Sequence, residues 1–306
     1  MAAVVLRRGF VLVILALLLS ACSGSSAPPA ETPAAAATDA PLLIASPEVV
    51  AAVPADVAPA GPKRKVVVLD PGHGGDEIGA SANGVVEKDS NLDFALRIEQ
   101  LLLAQDIDVL LTRRTDTRVA EQIAGYTATR SDLQARIDLA NRAGGDLFVS
   151  LHGNGSTDTS QKGAEAWYDS KRDFAAEGQL FAGLAVQKVL AELRGVGYVA
   201  QDRGLFDGSC FRSRMDRCFT LFVIGGPRET TRREIEMRGG DPEALGFNGR
   251  DVIYSTPANM PAALLELLII TNPQDAAMLR SELARDAIAR GVAGAIIEFL
   301  AAQPGS

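Results

Sequence analysis

The chain contains two histidines, and both stand where a strand is expected to end. His73 follows Val66-Val67-Val68-Leu69 in the run Leu69-Asp70-Pro71-Gly72-His73-Gly74-Gly75. His152 follows Leu147 to Leu151 in Val149-Ser150-Leu151-His152-Gly153-Asn154. Ligands in open α/β sheets bind beyond the carboxyl ends of parallel strands, so both imidazoles are placed where a site should be. The alternative is two structural histidines with no ligand. One carboxylate would complete a three-ligand zinc set of the His₂Glu kind, which keeps a position open for water or a substrate carbonyl. Glu87, fourteen residues after His73, is the candidate, because glycines at 72, 74, 75, 79 and 84 let the loop fold back to the same sheet edge. Glu266 is the only charge in Pro261 to Ile270. A carboxylate in a buried strand is costly unless it has a partner or a task, and general acid–base work is such a task. Its alternative is an exposed strand tip.

The elements that must carry these residues alternate. Val66–Leu69 reads as a strand buried on both faces. Ser90 reads as the N-cap of a helix through Leu103, and Ile107 to Leu111 as the next strand. Ser131 with Gln134 fits a capping box, and Gly144 ends that helix. Leu147–Leu151 is a third strand, Phe174 to Leu193 a helix, and Asn272-Pro273 a helix start. This rhythm predicts an α/β domain over about 63–302: a mostly parallel central sheet flanked by helices, with the zinc site at the C-terminal edge of the strands. About 206–250 breaks the rhythm and reads as an insertion before the last strand. It holds Cys210 and Cys218, for which a disulfide is a better reading than a second metal site.

The net charge of −8 supplies no phosphate-neutralising surface, so nucleic acid is not an expected partner. Arg7 and Arg8 precede an apolar run of ten residues, Phe10 to Leu19, too short to span a bilayer but suited to a signal-peptide core. It ends in Leu19-Ser20-Ala21-Cys22, which resembles the lipobox of bacterial lipoproteins. That resemblance implies that 1–22 is a lipoprotein signal peptide with its lipobox cysteine, cleaved before Cys22, with lipidation of the Cys22 thiol and a membrane anchor. Ser23 after the cysteine, with no Asp there, points to an outer-membrane anchor facing the periplasm in a Gram-negative host. Residues 23–62 contain 13 Ala, 8 Pro and no aromatic residue, which predicts a disordered tether.

Five blocks in order carry a further resemblance: LDPGHGG, GVVEKDSNL, LTRRTD, ARIDLANRAGGDLFVSLHGN and MPAALLELLIITNP. Together they resemble the zinc-dependent N-acetylmuramoyl-L-alanine amidase family over about 65–170 and 252–300. The resemblance implies an α/β fold, zinc on His73, Glu87 and His152, and Glu266 as the catalytic glutamate. The implied substrate is peptidoglycan, cut between N-acetylmuramic acid and L-alanine. A zinc hydrolase of another wall amide, or a non-catalytic peptidoglycan-binding lipoprotein, are the alternatives. Arg136, in the fourth block, reads as a supporting residue. The chain departs from the family at Leu268, where a Gly is usual, and a larger side chain there is expected to reshape the pocket wall. In some family members an extra element blocks the metal until an activator protein moves it. The 206–250 insertion is expected to restrain activity in this way, with Glu229, Glu234, Glu236 or Glu243 as the blocking ligand, or else to grip the substrate through its arginines.

Overall fold

The computed structural model describes residues 64–212 and 218–303. The signal peptide, Cys22 and the 23–62 tether therefore lie outside the described residues. Strands β1 (Val66–Pro71), β2 (Ser81–Ala82) and β3 (Val85–Val86) lead into α1 (Glu87–Leu103). Then come β4 (Asp108–Leu111), α2 (Ala128–Ala143), β5 (Leu147–Asn154), β6 (Ala164–Tyr168), α3 (Ala175–Gly195) and β7 (Asp202–Asp207). A hairpin of β8 (Phe211–Arg212) and β9 (Cys218–Phe219) follows, then β10 (Glu229–Thr231), α4 (Arg232–Met237) and β11 (Val252–Tyr254). The chain closes with β12 (Ala262–Ile269), α5 (Pro273–Leu279) and α6 (Glu282–Ala302).

Six strands form the central sheet in the order β4-β1-β5-β12-β6-β7. The first four are mutually parallel; β6 runs antiparallel to β12, and β7 runs parallel to β6. The sheet is thus mostly parallel, as the strand–helix rhythm predicts. One face packs Val67, Leu69, Val149 and Leu265 against α1, α3 and α6. The other packs Val68, Phe148, Leu264 and Trp167 against α2 and against Val223 and Ile224. The second core is therefore completed by the insertion itself.

Several boundaries differ from the sequence reading. Helix α1 begins at Glu87, three residues before Ser90, on a Val86 cap with no side-chain hydrogen bond. Helix α2 begins before Ser131, capped by Thr127, whose side chain accepts from Arg130 N. It does end at Gly144, in the left-handed conformation with φ 61°. Asn272 caps α5 as expected, accepting from Gln274 N and Asp275 N, with Pro273 in the first turn. The insertion starts later than 206, because Phe206 and Asp207 belong to the edge strand β7. Cys210 is disulfide-bonded, and β8 begins at the next residue, with Cys218 across the hairpin from Arg212. Among the described residues no helix is long and apolar enough to cross a membrane.

The strand directions fix where the insertion attaches. Because β7 runs against β1, β5 and β12, Asp207 lies at the opposite end of the sheet from Pro71, Asn154 and Ile269. Ala262, the start of β12, lies at that opposite end too. From there the segment runs along α2: Asn141 donates to Pro257 O, Gln134 to Thr256 O, and Arg130 to Thr230. Its tip packs Ile235 and Gly240 against Gly125 in the loop that precedes α2.

Candidate metal centre

His73, Glu87 and His152 converge beyond the ends of β1 and β5. One ligand atom from each can be chosen so that all three lie within 4.8 Å of one another. This is the only group of three such side chains among the described residues. Oε1 of Glu87 lies 2.9 Å from His73 Nε2 and 2.9 Å from His152 Nδ1. The other Glu87 oxygen accepts from Ala80 N at 2.7 Å, so the hairpin β2–β3 aims the carboxylate.

The local sequence makes this convergence possible. A Cβ on Gly72 would sit 2.2 Å from His152 Nε2, so the DPGHGG loop can cross the imidazole only with glycine there. A Cβ on Gly79 would sit 2.4 Å from Glu87 Oε2, and Gly79 also takes a positive φ of 68°. Beneath the loop, buried Arg136 donates to Pro71 O and His73 O and pairs with Asp70 and Asp132 at 2.8 Å each. Arg113 donates to Pro71 O, Gly72 O and Lys88 O. Two arginines thus hold the loop's carbonyls, and the supporting role read for Arg136 has a geometric basis.

The electrostatics favour a cation. Burial opposes charge on His73, but the nearby carboxylates of Glu77 and Glu87 outweigh it, and the ring is pushed up to about 10. Burial likewise opposes the Glu87 anion, yet the two imidazoles hold its carboxyl well below the usual range. Two imidazole nitrogens and one carboxylate are a fitting donor set for zinc.

Glu266 stands in β12 level with His152 in β5 on one side and with Glu165 in β6 on the other. Part of its surface is accessible, but its Oε2 is buried and has no hydrogen-bond partner. Burial, then repulsion from Glu87 and Glu165, raises its carboxyl well above the ordinary value. Glu165 itself is buried and held by Arg203 at 2.6 Å, Asn154 at 2.9 Å and Trp167 at 3.3 Å. Sequence reading missed Glu165 and Arg203. The available signal was a lone acid in the strand Ala164-Glu165-Ala166-Trp167-Tyr168, the same signal that marked Glu266.

Two expectations about the site's surroundings do not hold. Leu268 is fully buried in the core shared with α1, α3 and α6, so its bulk faces away from a pocket wall. Its departure from glycine appears instead in the backbone, at φ 78°. None of the insertion's four glutamates joins the cluster. Glu243 pairs with Arg232 at 2.6 Å, Glu234 lies 3.8 Å from Arg130 and from Arg238, Glu229 sits in strand β10, and Glu236 is exposed. Among the described residues no insertion glutamate takes the blocking place, and the segment is tied instead to α2 through Arg130, Gln134 and Asn141.

The comparisons with known proteins give the family. The profile described as N-acetylmuramoyl-L-alanine amidase matches residues 67–298. The amidase AmiA of Escherichia coli is 28% identical over 249 residues, covering 77% of this chain and 76% of AmiA. The germination-specific N-acetylmuramoyl-L-alanine amidase of Bacillus subtilis is 37% identical over 109 residues, 35% of this chain and 46% of that protein, less than half of its length. The solved catalytic domain of CwlV, an N-acetylmuramoyl-L-alanine amidase from Paenibacillus polymyxa, superposes with a TM-score of 0.52 at 26% identity, over 78% of this chain and 99% of that one. With the matched profile spanning the whole sheet and both ends of the site, the chain belongs to the N-acetylmuramoyl-L-alanine amidase family.

Proposed function

We propose that this chain hydrolyses the amide between N-acetylmuramic acid and L-alanine in peptidoglycan, with zinc held by His73, Glu87 and His152. The observation that carries the reading is the convergence of those three side chains beside a buried carboxylate with an unpartnered oxygen. A zinc ion there supplies polarisation of the substrate carbonyl and acidification of water. Glu266 takes the proton from the attacking water and delivers it to the leaving amine nitrogen. Burial and the neighbouring carboxylates raise its carboxyl, which makes the ionised form a stronger acceptor for the water proton that it then passes to the amine. Glu165, fixed by Arg203, keeps the anionic form of Glu266 unfavourable.

The test is a muropeptide digest with and without chelator. Intact stem peptides carrying a free L-Ala amine, lost on chelation and restored by zinc, are the expected products. Shortened stems would replace this reading with hydrolysis of another wall amide. No release at all from a zinc-loaded protein would leave a binding role.

The same proposal extends to the outer parts of the chain. The lipobox-like Leu19-Ser20-Ala21-Cys22 supports lipidation at Cys22, with 23–62 as a tether that lets an outer-membrane protein facing the periplasm reach the wall. Mass spectrometry of the mature N-terminus tests it, and an unmodified Cys22 would refute it. The disulfide of Cys210 is assigned to Cys218, across the β8–β9 hairpin. The insertion, whose tip reaches the loop before α2, is the surface on which an activator protein would act.

A further inference from the structure

The outer side of His73 carries an arrangement that this scheme does not use. Nδ1 of His73 is buried and has no hydrogen-bond partner, and Nη1 of Arg118 is buried and has none either. Both face one carboxylate, a different oxygen each. Nδ1 lies 3.6 Å from Glu77 Oε1, and Nη1 lies 3.7 Å from Glu77 Oε2. Two orphaned buried nitrogens are costly, and a shift of about half an ångström brings both into hydrogen-bond range of Glu77.

The surroundings hold Glu77 in this place. Its N–H donates to Gly74 O at 3.2 Å and its carbonyl accepts from Gly74 N at 2.9 Å, which closes a tight loop directly after His73. Arg118 is held from the far side, its Nε donating to Asp76 Oδ1 at 2.5 Å. The next residue is pinned as well, Val119 N donating to Asp132 Oδ1 at 2.5 Å, and Asp132 pairs with Arg136 under the loop.

We propose that Glu77 is a positioning residue for the metal centre: it accepts the Nδ1–H of His73, turns Nε2 toward Glu87, and is itself held by Arg118. Histidine ligands commonly donate their second ring nitrogen to a carboxylate, which fixes the tautomer and raises the basicity of the ligating nitrogen. The inference rests on the zinc reading of the site. A plain surface acid at position 77 would have no bearing on zinc.

The test measures zinc affinity of the full chain against a chromophoric chelator, together with the melting point of the metal-free protein. Glu77→Ala is expected to weaken zinc about 10- to 100-fold with the metal-free melting point unchanged. Glu77→Gln keeps an acceptor oxygen for Nδ1–H and is expected to recover part of that loss. Arg118→Ala is expected to weaken zinc less, and to add nothing in the Glu77→Ala background, because it acts through Glu77. An affinity within twofold of the parent in Glu77→Ala, equal losses in the Gln and Ala variants, or a further loss from Arg118→Ala in the Glu77→Ala background would each overturn the assignment. A parent chain that binds no zinc would sink the metal reading itself, which separates the two failures.

Discussion

Glu266 and His152 sit at the same level of the sheet on neighbouring parallel strands, so the backbone register alone brings the candidate base beside a candidate metal ligand. That rigidity makes the pair informative. Glu266→Gln keeps the shape and the register but removes the ionisable group. It is expected to retain zinc and to lose about 10² to 10⁴-fold in turnover on purified sacculi. Metal analysis and a turnover assay on the same sample check both halves, and near-normal turnover with intact zinc would mean another group moves the proton.

The close crossing of the DPGHGG loop over His152 gives a second outcome. Gly72→Ala places a methyl 2.2 Å from His152 Nε2, which side-chain adjustment cannot absorb without moving the ligand. Zinc affinity is expected to fall at least tenfold, while far-UV circular dichroism stays that of the parent. An unchanged affinity would show that the loop can back away from the imidazole.

How much of this was legible beforehand depended on the range of the forces involved. His73 and His152 were readable because apolar runs, a local signal, mark the strands they terminate. Glu87 was readable only through the glycines that let the chain return, and its helix start was misplaced because α1 uses no side-chain cap. Glu77 and Arg118 were not readable, since they meet through a loop 41 residues away in sequence and neither interrupts a pattern. The path of the insertion was not readable for a topological reason. Its attachment at the far end of the sheet follows from β6 and β7 running backwards, which no local sequence signal reports.

That topology changes the expected result of removing the insertion. Val223 and Ile224 cover Trp167 and Leu264 on the α2 side of the sheet. Replacing about 208–250 by a short Gly-Ser linker strips this cover, and the variant is expected to melt earlier and to aggregate. A narrower change, Ile235→Ala at the tip, keeps Val223 and Ile224 in place and should leave the main transition within a few degrees of the parent. A deletion variant as stable as the parent would show that the second core does not need the segment.

Acid stability should follow the charges under the loop. Burial raises the Asp70 carboxyl, but Arg136 with Thr112 and Ser150 outweighs it and leaves the group below its ordinary value of 3.8. A lowered folded value means the ion is favoured in the folded chain. Its contribution is therefore complete above about pH 4 and is lost as pH falls through the folded value. Arg136→Met removes the counter-charge from Asp70 and Asp132, at a cost of about 3–5 kcal/mol, and moves the acid transition to higher pH. Thermal melts from pH 7 to pH 2 check this, and superimposable curves for parent and variant would refute it.

The residue two places after Glu266 offers the sharpest test of the backbone. Leu268 combines a left-handed φ of 78° with complete burial, and the register of β12 against β5 shifts between Glu266 and Ile269. The bulge is fixed on its far side by Ile269 N donating to Asp275 Oδ2 at 2.9 Å and Ile270 N to Asn154 O at 2.8 Å. Two effects oppose each other here. The side chain gains burial worth about 2–5 kcal/mol when compared with alanine. The backbone conformation costs a non-glycine residue about 1–2 kcal/mol. Burial is the larger, so both Leu268→Ala and Leu268→Gly are expected to destabilise. Their order is the diagnostic. In an ordinary strand glycine is the worse of the two, by about 0.5–1 kcal/mol, because it frees the unfolded chain. At a positive φ the order reverses, and Leu268→Gly should melt above Leu268→Ala although it lacks one more carbon. Denaturant unfolding of the two variants gives the sign directly. Alanine above glycine would mean that the backbone at 268 relaxes out of the left-handed region, and that the bulge beside Glu266 is held by the leucine side chain.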